Sequence, residues 1–280
     1  MFRLRKWYLD CVAPRGAEVD AFIGYWARLD WGALRLGYAS ALHVPAAGDA
    51  AERHTFLPGR GPALSSQGVR WPCRRLGISA AWHRSAPPIR RTLLDSPAGR
   101  IEWDCLLPAG PARLRLPGDG LAGLGYVERL ELTLEPWKLP FRTLHWGRFL
   151  APGASLVWIA WEGDDATPAT TSPVGSSSGD SEARWVFRDS RPVEVVEFSP
   201  SRLVTRDGTA EAALQLECAR VLRSGPVVSP ALRSVAALAT RIPAPFLTAR
   251  EEKWLSRGRL ESPERKSIHG WAIHEIVNFH

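Results

Sequence analysis

The chain has 280 residues, with 36 lysines and arginines against 29 acids and a formal charge of +7. That length accommodates one large β domain or two of ordinary size, and the absence of an RNP-like signature, a zinc-ligand spacing or a long basic run argues against a specific nucleic-acid partner. Thirteen tryptophans accompany a single methionine, an aromatic excess that suits β cores and pockets for flat or greasy ligands.

Taken in order, Arg5–Cys11, Glu18–Leu29 and Leu34–His43 read as strands, followed by an irregular stretch, Pro45–Gly68. Short strands punctuated by Gly and Pro come next: Ile78–His83, Ile89–Asp95, Arg100–Leu107 and Ala112–Leu116. Repeated short alternating runs with such turns predict an all-β barrel or sandwich, antiparallel throughout. Pro117–Gly123 (PGDGLAG) reads as the seam between two β halves, residues 1–120 and 121–280.

Residues Tyr126–Glu135 alternate strictly, with Leu130, Leu132 and Leu134 on one face and Arg129, Glu131, Thr133 and Glu135 on the other. Carried backwards, that phase puts Tyr126 and Glu128 on the leucine face. A carboxyl group on an apolar face must be paired, hydrogen-bonded or protonated. Two readings of Glu128 follow. Desolvation would make it a usable general acid. Alternatively its role is structural: Arg148, in phase with Leu144, Trp146 and Leu150 on the next strand, would hold it as an ion pair, or a bulge would turn it out to solvent. The strand Leu156–Glu162 then carries Trp158 and Trp161 on opposite faces.

The polar, low-complexity segment 164–181 reads as a disordered insertion. Strands at Arg184–Arg188, Val193–Ser199, Arg202–Thr205 and Ala212–Leu222 follow. Apolar residues at helical spacing in Ser229–Arg241, and a capping box at Thr248–Glu251 before Trp254, Leu255 and Gly258, predict two short helices. The chain closes on a strand in which Trp271, Ile273, Val277 and Phe279 share a face with Glu275, as a surface edge or as part of a pocket.

The four cysteines are far apart and form no CxxC or zinc pattern, so free thiols in a reducing compartment are expected. The first ten residues lack an apolar core and a cleavage site, so no secretion signal is expected. The positive charge permits attraction to anionic lipid. The expected setting is the cytoplasm, with peripheral contact at the inner membrane face as an option. No cofactor or metal is called for: LAGLGY lacks a βαβ context, the seven histidines show no ligand spacing, and no GxSxG occurs.

The opening WYLDCVAPRG followed by AFIGYW, and the later GYVERL, PFRTLHWGRF and LVWIAW, together resemble carotenoid 1,2-hydratases (hydroxyneurosporene synthases). The wider group includes AttH-like lipocalin proteins, tocopherol-cyclase-like proteins and fungal cyclases of the Diels–Alderase type. The resemblance covers about a third of the chain and implies tandem lipocalin-like barrels with a pocket for an apolar isoprenoid-type or polyketide-type molecule. Residue by residue, Trp7, Tyr8 and Asp10 match the opening motif. Tyr126 and Glu128 match the GY-x-acid motif, with Glu where the hydratases usually carry Asp. Trp146 and Arg148 match the strand that follows. After the acid the hydratases run through Asn and Gly into a polar turn, whereas this chain runs RLELTL, so a polar group that would hold water is missing.

The implied chemistry is protonation of an alkene by Glu128, with Asp10 as the second carboxylate. Trp7, Tyr8, Tyr126, Trp146, Arg148, Trp158 and Glu275 are the expected substrate-binding residues. The cation that forms would be stabilised by aromatic faces. A hydro-lyase, cyclase or isomerase, a non-catalytic carrier of a hydrophobic molecule, and a protein-interaction module of the same fold all remain open on this reading.

Overall fold

The computed structural model describes residues 1–163, 182–228, 235, 241–263 and 265–279. The chain divides into two compact units, Met1–Glu135 and Pro136–His280. Each is an antiparallel sheet wrapped around its own apolar core, so the expected all-β, lipocalin-like architecture holds.

The first unit contains β1 (Phe2–Arg15), β2 (Glu18–Trp31), β3 (Leu34–Val44), β4 (Ala51–Thr55), β5 (Ala63–Ser65), β6 (Gly68–Cys73), β7 (Ile78–His83), β8 (Ile89–Ser96), β9 (Gly99–Leu116) and β10 (Asp119–Leu132). Its strand order is β4-β3-β2-β1-β10-β9-β7-β6-β5, with β8 also pairing β9. The second unit contains β11 (Phe141–Ala151), β12 (Ala154–Gly163), β13 (Glu182–Arg188), β14 (Arg191–Pro192), β15 (Glu194–Ser199), β16 (Arg202–Asp207), β17 (Ala210–Pro226), β18 (Arg250–Ser262) and β19 (Arg265–Asn278). Its order is β14-β13-β12-β11-β19-β18-β17-β16-β15.

Strand side chains alternate between faces, and in β1 both sets are buried. Trp7, Leu9, Cys11 and Ala13 enter the first core with Phe22, Trp71, Trp82, Leu107 and Val127. Tyr8, Asp10 and Val12 lie on the opposite face and are buried too. The register with β10 pairs Tyr8 with Glu128 and Asp10 with Tyr126. Two irregularities in β9 accommodate this register, between the rungs at Gly125, Val127 and Glu128. The added residues let Leu106 and Leu107 both join the core while Cys105 still faces Glu128, the re-aiming that a bulge provides.

The structure corrects several expectations. Pro117–Gly123 is no seam, because Pro117 and Gly118 form the turn of the β9–β10 hairpin, closed by Leu116 opposite Asp119. Gly118 has φ +86°, a conformation glycine adopts without steric cost. The division falls instead between Glu135 and Pro136. The capping-box helix from Thr248 is absent: Arg250–Ser262 is β18, and the helix there is the four-residue Ala244–Leu247. The buried face of β18 changes midway, from Glu251, Lys253 and Leu255 to Ser256, Gly258 and Leu260, and that switch, with the buried charges, hid the alternation from a hydrophobicity pattern. Apart from 235 and 241, the residues of the other expected helix, and all of 164–181, lie outside the described residues. The final strand, β19, is central rather than an edge, lying between β11 and β18.

Gly125 tests the packing between β10 and β1. A Cβ there would lie 2.5 Å from Trp82 Cδ1 and 2.6 Å from both Trp82 Nε1 and the Asp10 carbonyl oxygen. Those groups are joined by the Trp82 Nε1 to Asp10 O hydrogen bond of 2.6 Å. Gly125→Ala is therefore expected to destabilise the protein by about 1–3 kcal/mol, the usual cost of overpacking. Denaturant unfolding of the variant against wild type measures it.

Candidate functional site

The face of the first sheet that looks away from its apolar core carries the polar residues. Its central rung runs Ser40, Tyr25, Tyr8, Glu128, Cys105, Ile89 across β3, β2, β1, β10, β9 and β8. On one side lies a rung of Leu42, Ile23, Asp10 and Tyr126. On the other lies Tyr38, Ala27, Lys6, Leu130, Trp103 and Arg91. Burial falls off across these rows. Asp10, Tyr126 and Cys105 are 0% exposed, whereas Glu128, Tyr25, Lys6 and Leu130 are half-buried. Glu128 thus stands where the sealed part of the face meets its accessible part.

Two donors converge on one oxygen of Glu128. Trp103 Nε1 donates to Oε2 at 2.6 Å, and the Tyr126 hydroxyl donates to the same atom at 2.7 Å. Hydrogen bonds given to a carboxyl oxygen by two N–H or O–H groups favour its charged form. These two bonds oppose the desolvation that would favour its protonated form.

The neighbours of Glu128 stay neutral. Burial pushes the Cys105 thiol well above its ordinary range, and the nearby carboxylates of Glu128 and Asp10 push it the same way. Burial also raises the Tyr126 phenol, reinforced by Cys105 and Glu128. Tyr126 and Cys105 are hydrogen-bonded to each other. The single phenolic proton of Tyr126 goes to Glu128, so the thiol is the donor in that second bond. The result is a chain from Cys105 through Tyr126 to Glu128. An aromatic strip adjoins it: Tyr8 meets Tyr25 edge-on at 5.3 Å and Tyr126 at 6.1 Å between ring centroids.

Of the residues singled out by sequence, Glu128, Asp10, Tyr8 and Tyr126 share this face. Trp7 does not; it lies in the first unit's core, with the Arg129 guanidinium 5.9 Å from its ring. Trp146, Arg148, Trp158 and Glu275 belong to the second unit. There Trp146 and Arg148 lie on the face away from the core, Arg148 wholly buried and donating from Nη1 to the Trp271 carbonyl at 3.2 Å. Glu275 is opposite Trp146 on β11 and forms an ion pair with buried Lys253 of β18. Trp158 points the other way, into the second core, where Gly147 leaves space for its ring.

Sequence reasoning missed Trp103 and Cys105, both read only as apolar members of an alternating strand. It also missed Ser256 and His274, whose Oγ and Nε2 are 2.8 Å apart inside the second unit. Among the described residues, Asp20, His43 and Asp119 place ligand-type atoms close together. Arg15 already bridges the two acids, with Nε 2.6 Å from Asp20 and Nη2 3.3 Å from Asp119, so the positive charge there is supplied by the chain itself.

No protein-family model matches the sequence, and neither does any curated protein. Solved structures match the fold over nearly the whole chain. CghA, solved with Sch210972, is 12% identical with a TM-score of 0.57, the match covering 99% of this chain and 88% of CghA. An AttH candidate from Nitrosomonas europaea is 11% identical with a TM-score of 0.59, covering 99% and 93%. Kievitone hydratase from Nectria haematococca is 11% identical with a TM-score of 0.53, covering 98% and 88%. At these identities the likeness is one of fold alone.

His274 gives the second unit a pH dependence. Burial lowers its pKa from 6.5 to about 4, with Glu275 opposing the change, so the ring is neutral when folded. Between those values the unfolded chain binds the proton and the folded chain does not, so acid favours unfolding. The stabilisation is complete above the unfolded pKa and is lost as pH falls through the folded one. Roughly 3 kcal/mol is at stake, since each tenfold difference in proton affinity between the two states is worth about 1.4 kcal/mol. His145, also lowered chiefly by burial, acts in the same direction. Urea midpoints measured from neutral pH down to the folded pKa should fall steeply for wild type and less steeply for His274→Gln.

Proposed function

We propose that this protein is a hydratase-, cyclase- or isomerase-type enzyme acting on an apolar small molecule bound along the Tyr8–Tyr25–Glu128 face. The observation that carries the reading is the Glu128 carboxylate, fixed by Trp103 and Tyr126 at the half-buried end of an aromatic strip. A rigid anion beside aromatic rings suits reactions in which a proton leaves carbon or water, or a carbocation forms and is quenched. Glu128 accepts the proton and returns it at a second position, leaving the carboxylate regenerated. Tyr126 and Trp103 are positioning residues, since each acts through its bond to Oε2. Asp10 is a second positioning residue, buried one rung away.

Two fold neighbours support the class of reaction and ligand. One is named a hydratase, and another was solved with a small molecule. Isoprenoid-type and polyketide-type skeletons both fit an apolar site of this kind. The carrier reading gains weight from the sealed, neutral Cys105–Tyr126 floor, which would serve a binding protein equally well.

The test uses Glu128→Gln, which keeps the shape and removes the charge. Small molecules that co-purify with the wild type are identified by mass spectrometry and returned to each protein in heavy water. Wild type is expected to add water, or to exchange a proton for deuterium without net mass change in other atoms. The variant should do so about 10²–10⁴ times more slowly, the range for loss of a general base. Its melting temperature should stay within a few degrees. Equal binding by both proteins with turnover by neither would establish the carrier instead.

A further inference from the structure

Lys6 differs from five arginines around the site. Arg3 and Arg5 pair with Glu131, Arg129 and Arg90 with Asp104, and Arg28 with Asp30. Among the described residues Lys6 has no ion-pair partner. Its one polar contact is with the ring of Tyr25, 4.7 Å from Nζ to the centroid. The geometry of that contact matters. Lys6 is opposite Ala27 on β2, whereas Tyr25 is opposite Tyr8, one rung nearer to Glu128. The ammonium therefore leans along the strand towards the catalytic rung, over the ring that begins the aromatic strip. It is half-buried, where a charge interacts more strongly than in open water.

We propose that Lys6 is the specificity-determining residue of this face and binds an anionic oxygen of the substrate. The inference rests on the reading of the face as a ligand site. It narrows the substrate class to an elongated apolar molecule with a carboxylate or enolate group. Lys6 and Tyr8 are two residues apart, about 7 Å along a strand. Because the ammonium leans towards Tyr25, the anionic oxygen sits less than that distance along the strand from the rung of Glu128. The apolar body lies across Tyr25, Tyr8 and Leu130. Such a group also separates the two charges of the substrate complex: the anion at Lys6, and any developing cation at Glu128.

The test compares geranic acid with its methyl ester by equilibrium dialysis at low ionic strength. The two probes share the apolar skeleton and differ in charge. Wild type is expected to bind the acid about tenfold more tightly than the ester, as a charge-assisted hydrogen bond allows. Lys6→Met should bring the two within twofold, leaving ester affinity unchanged, while Lys6→Arg should retain the preference. Equal binding of acid and ester by wild type, no binding of the acid, or a preference that survives in Lys6→Met would each overturn the proposal. Melting curves for both variants confirm that the fold is intact. The catalytic reading fails separately: acid preference that depends on Lys6, together with no turnover by wild type, leaves a carrier selective for anions.

Discussion

The site depends on one register, the pairing of Tyr8 with Glu128 in the β1–β10 ladder. A slip of one residue would move every side chain of β1 to the other face. Leu9 and Cys11 would then meet Tyr126 and Glu128, while Tyr8 and Asp10 would enter an apolar core. That exchange is heavily penalised because both sets are buried: Leu9 and Cys11 are 0% exposed on one side, and Asp10 is 0% exposed on the other. Gly125 reinforces the register from within, since only the absence of a Cβ lets the Trp82 indole reach the Asp10 carbonyl. The core face thus fixes the position of the polar face, and the bulged β9 supplies the Cys105 and Trp103 partners at the matching rungs.

The second unit follows the same rule with different chemistry. Its outward face buries two cations, Arg148 and Lys253, where the first unit's face buries an acid and a phenol. Lys253 is matched by Glu275, and Glu251 by Arg223 at 2.7 Å. Charges taken this far out of water are retained at a desolvation cost, so each needs a partner of good geometry. The inward face carries the Ser256–His274 pair between Trp158 and Trp254. A neutral imidazole satisfies the serine hydroxyl there without importing a charge.

Where a strand has one dominant apolar face, the sequence was readable. Leu130, Leu132 and Leu134 placed Tyr126 and Glu128 together, and the structure shows Tyr126 bonded to Glu128. The same rule separated Trp158 from Trp161 correctly. It failed where the buried face changes within one strand. Glu251, Lys253, Ser256 and Gly258 broke the apolar alternation of β18, and a chance capping box then looked like the stronger signal. Turn chemistry misled in a different way: PGDG is equally a linker and a tight hairpin, and only the long-range pairing of Leu116 with Asp119 decides between them. Trp7 was assigned by motif adjacency to Tyr8, although neighbours in a strand necessarily face opposite ways. Trp103 and Cys105 were invisible for a related reason. Nothing in the local pattern reveals that an apolar-looking residue owns the donor that a distant carboxylate needs.

The charge state of Glu128 shows how such distant groups set chemistry. The alternation alone suggested an acid stranded among leucines, for which desolvation would favour the protonated form. The cross-strand partners oppose that preference. Trp103 can only donate a hydrogen bond, never accept one. Its 2.6 Å approach to Oε2 therefore requires an acceptor oxygen, and the 2.7 Å approach of Tyr126 requires a second lone pair on the same atom. Oε2 itself therefore carries no proton, and any proton on the group sits on Oε1. Burial keeps Tyr126 and Cys105 from ionising, so they remain donors throughout. Glu128 is the half-buried member of this row, with the neutral Tyr126 and Cys105 sealed behind it.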